Sequence, residues 1–275
     1  MGGVIMEKIQ KILLERHGKI ETAYQDYQNN PFDPEKAHQL RVRVRKIRTL
    51  LNILKPLIST ENYDPLNQNL RQVAQVYETI RELDVLVAHC GQVAEEQPNL
   101  SEHYAAMFNF LLKERRKEIR RTLNKTNTKQ VQETLEEVES FIKQLAEHIE
   151  EEGPNSQAEW SNYVTERIEK KDKKMRRAYK KVDETDHEAV HQTRLMAKKL
   201  RYAANYLDKL TEVKTKPLIK RAKAIQNEFG ERTDQQVNIT LLKAYAEKAE
   251  KPAVKALLMV IREDELAQLA PTTAD

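Results

Sequence analysis

The chain has one cysteine, Cys90, so it can form neither an intramolecular disulfide framework nor a cysteine-cluster metal site. A lone thiol fits a reducing compartment. Glycine and proline are also scarce, at 6 and 9 of 275 residues, which favours long helices over strands and turns. Aromatics make up 6%. No alternating β-branched run bounded by turn signals occurs, which argues against a sheet. No apolar run approaches membrane-spanning length, and Met1 to Met6 lacks the positive end and apolar stretch of a secretory leader. Met6 stands where a myristoylation pattern after Gly2 needs Ser or Thr. The expectation is an all-α cytoplasmic protein without a membrane anchor.

What the chain does have is charge, at 33% of residues, nearly balanced to a net +4. The signs are segregated. Lys113 to Arg121 carries six bases and two acids, and Arg167 to Lys181 carries nine bases and two acids. Glu133 to Glu152 reverses this, with eight acids against Lys143. Such segregation suggests one surface that meets an anion and another that repels it, although charged helices also have charged faces for solubility alone. Whether Arg115, Arg116, Arg120, Arg176, Arg177 and Lys180 extend a binding surface is not readable from the runs.

Laid on itself, the chain repeats. His38-Gln-Leu-Arg41 returns as His191-Gln-Thr-Arg194, 153 positions later. At that offset Arg45 meets Lys198, Lys46 meets Lys199, Arg48 meets Arg201 and Leu54 meets Leu207; upstream, Asp33 meets Asp186 and Glu35 meets Glu188. With the offset one shorter, Pro65-Leu66 meets Pro217-Leu218, Arg71 meets Lys223, Tyr77 meets Phe229 and Val85 meets Val237. One slipped residue is what a change in loop length would produce. The repeat predicts two similar four-helix-like bundles, 1–153 and 154–275, joined near Gly153-Pro154.

Capping signals place the helices. Asp33 and Asp186 can each accept from free N–H groups of the following turn, and Pro34 suits a first helical position. The spacing predicts helices over 7–27, 34–55, 65–96, 102–123 and 130–151, then 157–182, 187–210, 217–248 and 252–269. Pro56 closes the second of these.

On the helix after Asp33, with His38 as zero, Arg41, Arg45 and Arg48 fall at about −60°, −20° and −80°. Leu40, Val44, Ile47, Leu51, Leu54 and Ile58 gather on the opposite side. The second copy sets His191, Arg194, Lys198 and Arg201 against Ala197, Leu200, Ala204 and Leu207. Arg43 becomes Met196, so the duplication keeps the stripe and not its neighbour. No acid lies four positions from these bases on the same face, and like charges in file repel. Either acids from other helices pair with them, or two such files line a shared basic groove or pore. Arginine grips phosphate oxygens bidentately, lysine adds a mobile point charge, and a histidine among cations charges more readily once an anion arrives.

The strings His-x-x-Arg-Val-x-x-Arg-Lys-x-Arg (His38 to Arg48) and His-x-x-Arg-Leu-x-x-Lys-Lys-x-Arg (His191 to Arg201) resemble the CHAD family, the conserved histidine α-helical domain. Arg81-Glu82-Leu83-Asp84-Val85 looks like that family's Arg-Asp-x-Asp-Val segment, and Gln226-Asn227-Glu228-Phe229-Gly230 looks like its Gln-Asp-x-Leu-Gly segment. Glu78 opposite Gly230, and Glu82 in place of the usual Asp, depart from the pattern. The resemblance spans nearly the whole chain. It implies a pseudo-symmetric helical fold whose basic central channel binds inorganic polyphosphate, non-catalytically, in association with polyphosphate granules. The binding set it implies is His38, Arg41, Arg45, Lys46, Arg48 and Arg71, with His191, Arg194, Lys198, Lys199, Arg201 and Lys223. No cofactor is implied. Sulfate or phosphate could occupy the site in vitro, and a CYTH-type or other polyphosphate-metabolising enzyme is an implied partner.

Three other readings compete. His187-Glu188-Ala189-Val190-His191 has the zinc-protease spacing, with Glu212 as a distant third ligand. The first copy, however, has Pro34 at the first ligand position, and Arg194 and Lys198 would oppose a dication. A nucleic-acid binder would exploit any basic groove, yet Trp160 and the scattered tyrosines form no stacking platform. A basic scaffold docking an acidic protein is the third. An enzyme acting on phosphoanhydrides would need grouped carboxylates for metal ions, which the sequence does not show.

Overall fold

The computed structural model describes residues 3–150 and 153–269. The Gly2 reading, Glu151 and Glu152 at the end of the acidic run, and the last residue of the 130–151 helix lie outside the described residues. The elements are α1 (Gly3–Asn29), α2 (Pro34–Leu54), α3 (Thr60–Val76), α4 (Glu78–Glu96), α5 (Tyr104–Thr122), α6 (Lys125–Lys143), α7 (Leu145–His148), α8 (Gln157–Lys181), α9 (His187–Tyr206), α10 (Thr215–Glu228), α11 (Gly230–Lys248) and α12 (Pro252–Leu269). Short 3-10 turns, Lys55–Leu57 and Asp208–Leu210, follow α2 and α9. The described residues contain no strand, only an isolated bridge between Ile58 and Ile149. The chain is all-α.

The caps act as the sequence indicates. Asp33 accepts from Glu35 N at 2.9 Å with Pro34 in the first turn, and Asp186 accepts from Ala189 N at 3.0 Å. Each carboxylate satisfies a free amide and sits at the positive end of its helix. The apolar side of α2 is buried as expected, with Leu40, Val44, Ile47, Leu51, Leu54 and Ile58 all inside, as are Ala197, Leu200, Ala204 and Leu207 along and just after α9. The buried leucine, isoleucine and valine side chains contribute roughly 1.5–3 kcal/mol each. That burial, more than the intrinsic propensity of charged segments, holds the helices.

Three expected helices are not continuous. The one expected over 130–151 begins at Lys125, breaks at Gln144 and resumes as the short α7. The segment expected over 65–96 begins earlier, at Thr60, and breaks at Tyr77, while the one expected over 217–248 breaks at Phe229. Both break residues have bridge-region backbone, φ −99 ψ 11 and φ −87 ψ 0, and both side chains are buried. Anchoring each aromatic ring in the interior is the physical reason we assign for the bend.

The chain divides into two compact units at these bends and between α5 and α6: residues 1–76 with 125–229, and 77–124 with 230–275. The units therefore differ from the sequence halves 1–153 and 154–275, since each takes helices from both halves. In the larger unit α2 packs on α1, α3 and α9, and α9 packs on α8 and α10. His17, buried on α1, has a ring nitrogen 2.8 Å from Leu135 O of α6, a satisfied core histidine. In the smaller unit α4, α5, α11 and α12 enclose Leu83, Leu86, Met107, Leu111, Leu242 and Leu258. There Arg115 Nε donates to the buried carboxylate of Asp84 at 2.6 Å.

Candidate basic site

All twelve residues of the expected binding set fall in the larger unit. His38, Arg41, Arg45, Lys46 and Arg48 are half-buried along α2; His191, Arg194, Lys198 and Arg201 are half-buried along α9, with Lys199 more exposed than they are but partly covered. Because α2 and α9 pack directly, the two files are neighbours. Arg41 Nη1 donates to Ala74 O at 2.6 Å and Arg48 Nε to Asn67 Oδ1 at 3.0 Å, so both tie α2 to α3 through neutral acceptors.

Electrostatic neighbours show which side chains converge. Burial lowers the pKa of Arg48, and Arg71 of α3 and Arg45 push the same way against an opposing contribution from Tyr63. Lys199 is lowered by burial, then by Arg48, Lys174 and Arg45. Burial also lowers His191; Glu188 opposes this, while Arg194, Lys198 and Arg45 from across the helix pair reinforce it. Cations of α2, α3, α8 and α9 thus form one belt. Lys46 and Arg201 approach it differently. Lys46 Nζ lies 5.6 Å and 6.0 Å from the ring centroids of Tyr202 and Tyr206, and the Arg201 guanidinium lies 5.2 Å from that of Tyr202. Arg16 of α1 caps Tyr206 at 4.8 Å. Cation–π contact steadies the heads without neutralising them. Lys223 is exposed on α10, and no described contact joins it to the belt.

The sequence reading missed α8. Arg167, Lys171 and Lys174 stand at helical spacing on the side facing α2 and α9. Lys171 Nζ donates to Asn52 Oδ1 at 2.8 Å, and Arg167 Nη2 to Asn52 O at 3.5 Å. Lys171 is pushed down to about 8 by burial, then by Arg167, Lys199 and Lys174. The other bases of that run take a different side. Lys173, Arg176, Arg177 and Lys180 line a cleft of about 850 Å³ against α10. On this side Arg221 Nη2 donates to both oxygens of the Asp172 carboxylate, at 2.8 Å and 3.0 Å.

That contrast sorts the cations. Arg115 and Arg221 each have a carboxylate. Among the described residues no carboxylate lies within ion-pair distance of Lys46, Arg48, Arg71, Arg167, Lys171, Lys174, Lys199 or Arg201. The metal reading finds no support in the geometry, since no group of three His, Cys, Asp or Glu side chains among the described residues is placed to hold a metal. Around His191 stand Arg194, Lys198 and Arg45 instead.

Comparisons with known proteins give the following. The family model described as the CHAD domain matches residues 16–243. The crystal structure of the CHAD domain from the plant Ricinus communis is similar in fold, with TM-score 0.75 at 20% identity, covering 98% of this chain and 88% of that one. PptA from Streptomyces chartreusis gives TM-score 0.69 at 13% identity, covering 96% of this chain and 94% of that one. No curated protein matches the sequence.

Proposed function

The chain belongs to the CHAD family, and from that premise we propose that its larger unit binds inorganic polyphosphate, without catalysis, along the belt of cations shared by α2, α3, α8 and α9. The observation that carries this reading is the set of half-buried bases, Arg48, Lys171 and Arg201 chief among them, that have no carboxylate in ion-pair range among the described residues while Arg115 and Arg221 elsewhere have one. A flexible polyanion supplies the missing countercharge, with arginines gripping non-bridging oxygens and lysines following the chain.

Several finer points belong to the same proposal. The recurrence of element order, with α2, a 3-10 turn, α3, α4 and α5 echoed by α9, a 3-10 turn, α10, α11 and α12, supports an internal duplication over 1–153 and 154–275. The two stripes then form the walls of one groove. No described helix is long and apolar enough to cross a membrane. Cytoplasmic residence on polyphosphate granules, with a polyphosphate-metabolising enzyme as partner, completes the reading.

The test compares long-chain polyphosphate with a single-stranded oligonucleotide of equal charge across a salt series. Wild type is measured beside the His38→Ala/Arg45→Ala/His191→Ala/Lys198→Ala protein. Polyphosphate binding should outlast oligonucleotide binding at physiological salt and collapse in the variant, with helicity retained. Equal binding of both anions, or a variant that binds as wild type does, overturns the proposal in favour of a nucleic-acid binder or a basic scaffold.

A further inference from the structure

We propose that Lys171 is an acylation site: its ε-amine attacks acyl phosphates that the surrounding cations capture from solution. The proposal rests in part on the polyanion reading, because the same cations would hold both anions.

The surroundings of Lys171 differ from those of lysines elsewhere on the molecule. Lys55 contacts Asp64 at 3.0 Å, Lys143 contacts Glu139 at 2.8 Å and Lys36 contacts Asp26 at 3.7 Å, so each of these has a carboxylate beside it. Lys171 instead donates to a neutral amide, Asn52 Oδ1. The Asn52 amide is oriented by its own Nδ2, which donates to Tyr63 Oη at 3.5 Å and so turns Oδ1 toward α8. The charges that act on Lys171 are positive, Arg167 and Lys174 on its own helix and Lys199 on α9, and its hydrogen-bond partner from α2 is the neutral Asn52. Half-buried among cations and without a carboxylate, the amine has a substantial neutral fraction near pH 8. A desolvated amine next to other cationic groups is a recognised route to a nucleophilic lysine.

The electrophile must also come to the amine. An acyl phosphate is a small dianion, so the belt draws it in by the charge that draws any phosphate. The neutral Nζ lone pair attacks the carbonyl carbon and an N–C bond forms. The C–O bond to phosphorus breaks, phosphate leaves with the electron pair, and the amine proton passes to water. Nothing is oxidised or reduced. The product amide carries no charge, so one acylation deletes a cation from the middle of the belt. Occupancy by polyphosphate, conversely, shields the amine.

The experiment incubates the folded full chain with acetyl phosphate at pH 8 and follows acetyl occupancy at each lysine by peptide mass spectrometry. About half of Lys171 is neutral at that pH, against roughly 0.3% of an ordinary lysine. Lower basicity offsets part of that advantage, and a preference of about tenfold over the exposed Lys113 and Lys216 remains. Pyrophosphate should slow labelling of Lys171 and leave the other two unchanged. A neutral acetyl ester, which the belt cannot capture, should show a smaller preference. Labelling of Lys171 no faster than that of Lys113 and Lys216 overturns the proposal. The two readings separate cleanly. Preferential labelling with pyrophosphate protection, in a protein that fails to bind polyphosphate, leaves the modification site standing alone. Polyphosphate binding without preferential labelling does the reverse.

Discussion

Replacing Lys171 by Met should stabilise the unliganded protein near neutral pH and should do so in a pH-dependent way. The folded-state amine titrates at about 8 against 10.5 for an ordinary lysine. Below pH 8 both folded and unfolded chains hold the proton, and the folded state bears the whole cost of a half-buried ammonium among Arg167, Lys174 and Lys199. Between pH 8 and 10.5 the folded chain releases its proton while the unfolded chain keeps it, so the cost fades. Above 10.5 neither state is charged and nothing is left of it. Taken at face value the shift corresponds to about 3.4 kcal/mol, and solvent screening at a half-buried site reduces this to roughly 1–2 kcal/mol. Loss of the bond to Asn52 Oδ1 works the other way by about 1 kcal/mol, but that contribution hardly varies with pH.

The decisive quantity is therefore the difference between variant and wild type as a function of pH. Urea unfolding at low salt, at half-unit steps from pH 7 to 10.5, gives that difference with every other titrating group cancelling. The advantage of Lys171→Met should shrink by about 1–2 kcal/mol across the window. A flat difference, or one that widens above pH 8, refutes the assignment of an uncompensated cation at this position.

Two further outcomes follow from the same geometry. Arg115→Met removes the guanidinium that meets the buried Asp84 carboxylate in the smaller unit and should cost about 3–5 kcal/mol in urea unfolding; the exposed Arg120→Met, about a turn and a half along α5, should cost under about 0.5 kcal/mol. Because burial and Arg194, Lys198 and Arg45 hold His191 below its usual range, a bound polyanion should draw a proton onto it. Polyphosphate affinity should therefore rise as pH falls from neutral through the range in which His191 takes up its proton, and His191→Asn should show a flatter profile.

The sequence was informative wherever one residue decides the local outcome. Asp33 and Asp186 cap their helices because a carboxylate before a run of free amides has a single good use, and Pro34 narrows the start further. The basic stripe was legible because the repeat retained His, Arg and Lys at helical spacing while exchanging Arg43 for Met196. The bends at Tyr77 and Phe229 were not. Apolar periodicity runs through both, neither is a proline or glycine, and the cause we assign is the burial of a ring, which no local signal announces. The division into units follows from those bends and was hidden with them.

The contribution of α8 was obscured for the opposite reason. Nine bases in fifteen positions leave no gap by which to separate a face. Only packing divides Arg167, Lys171 and Lys174, turned toward α2 and α9, from Arg176 and Arg177, turned toward α10. Once divided, the two sides obey different electrostatics. On the α10 side Asp172 grips Arg221 and reaches Arg176 at 4.0 Å. On the other side a neutral Asn52 takes the place a carboxylate could fill. An acid at that position would stabilise the unliganded fold by holding Lys171 charged, but it would also repel an incoming phosphate from the centre of the belt. Asparagine keeps the amine in place by a hydrogen bond and leaves the field positive. The molecule thus gives up stability at the point where an anion would recover it, so an Asn52→Asp protein should be the more stable apo form and the weaker polyanion binder. A protein whose buried bases served packing alone has no reason to separate those two properties.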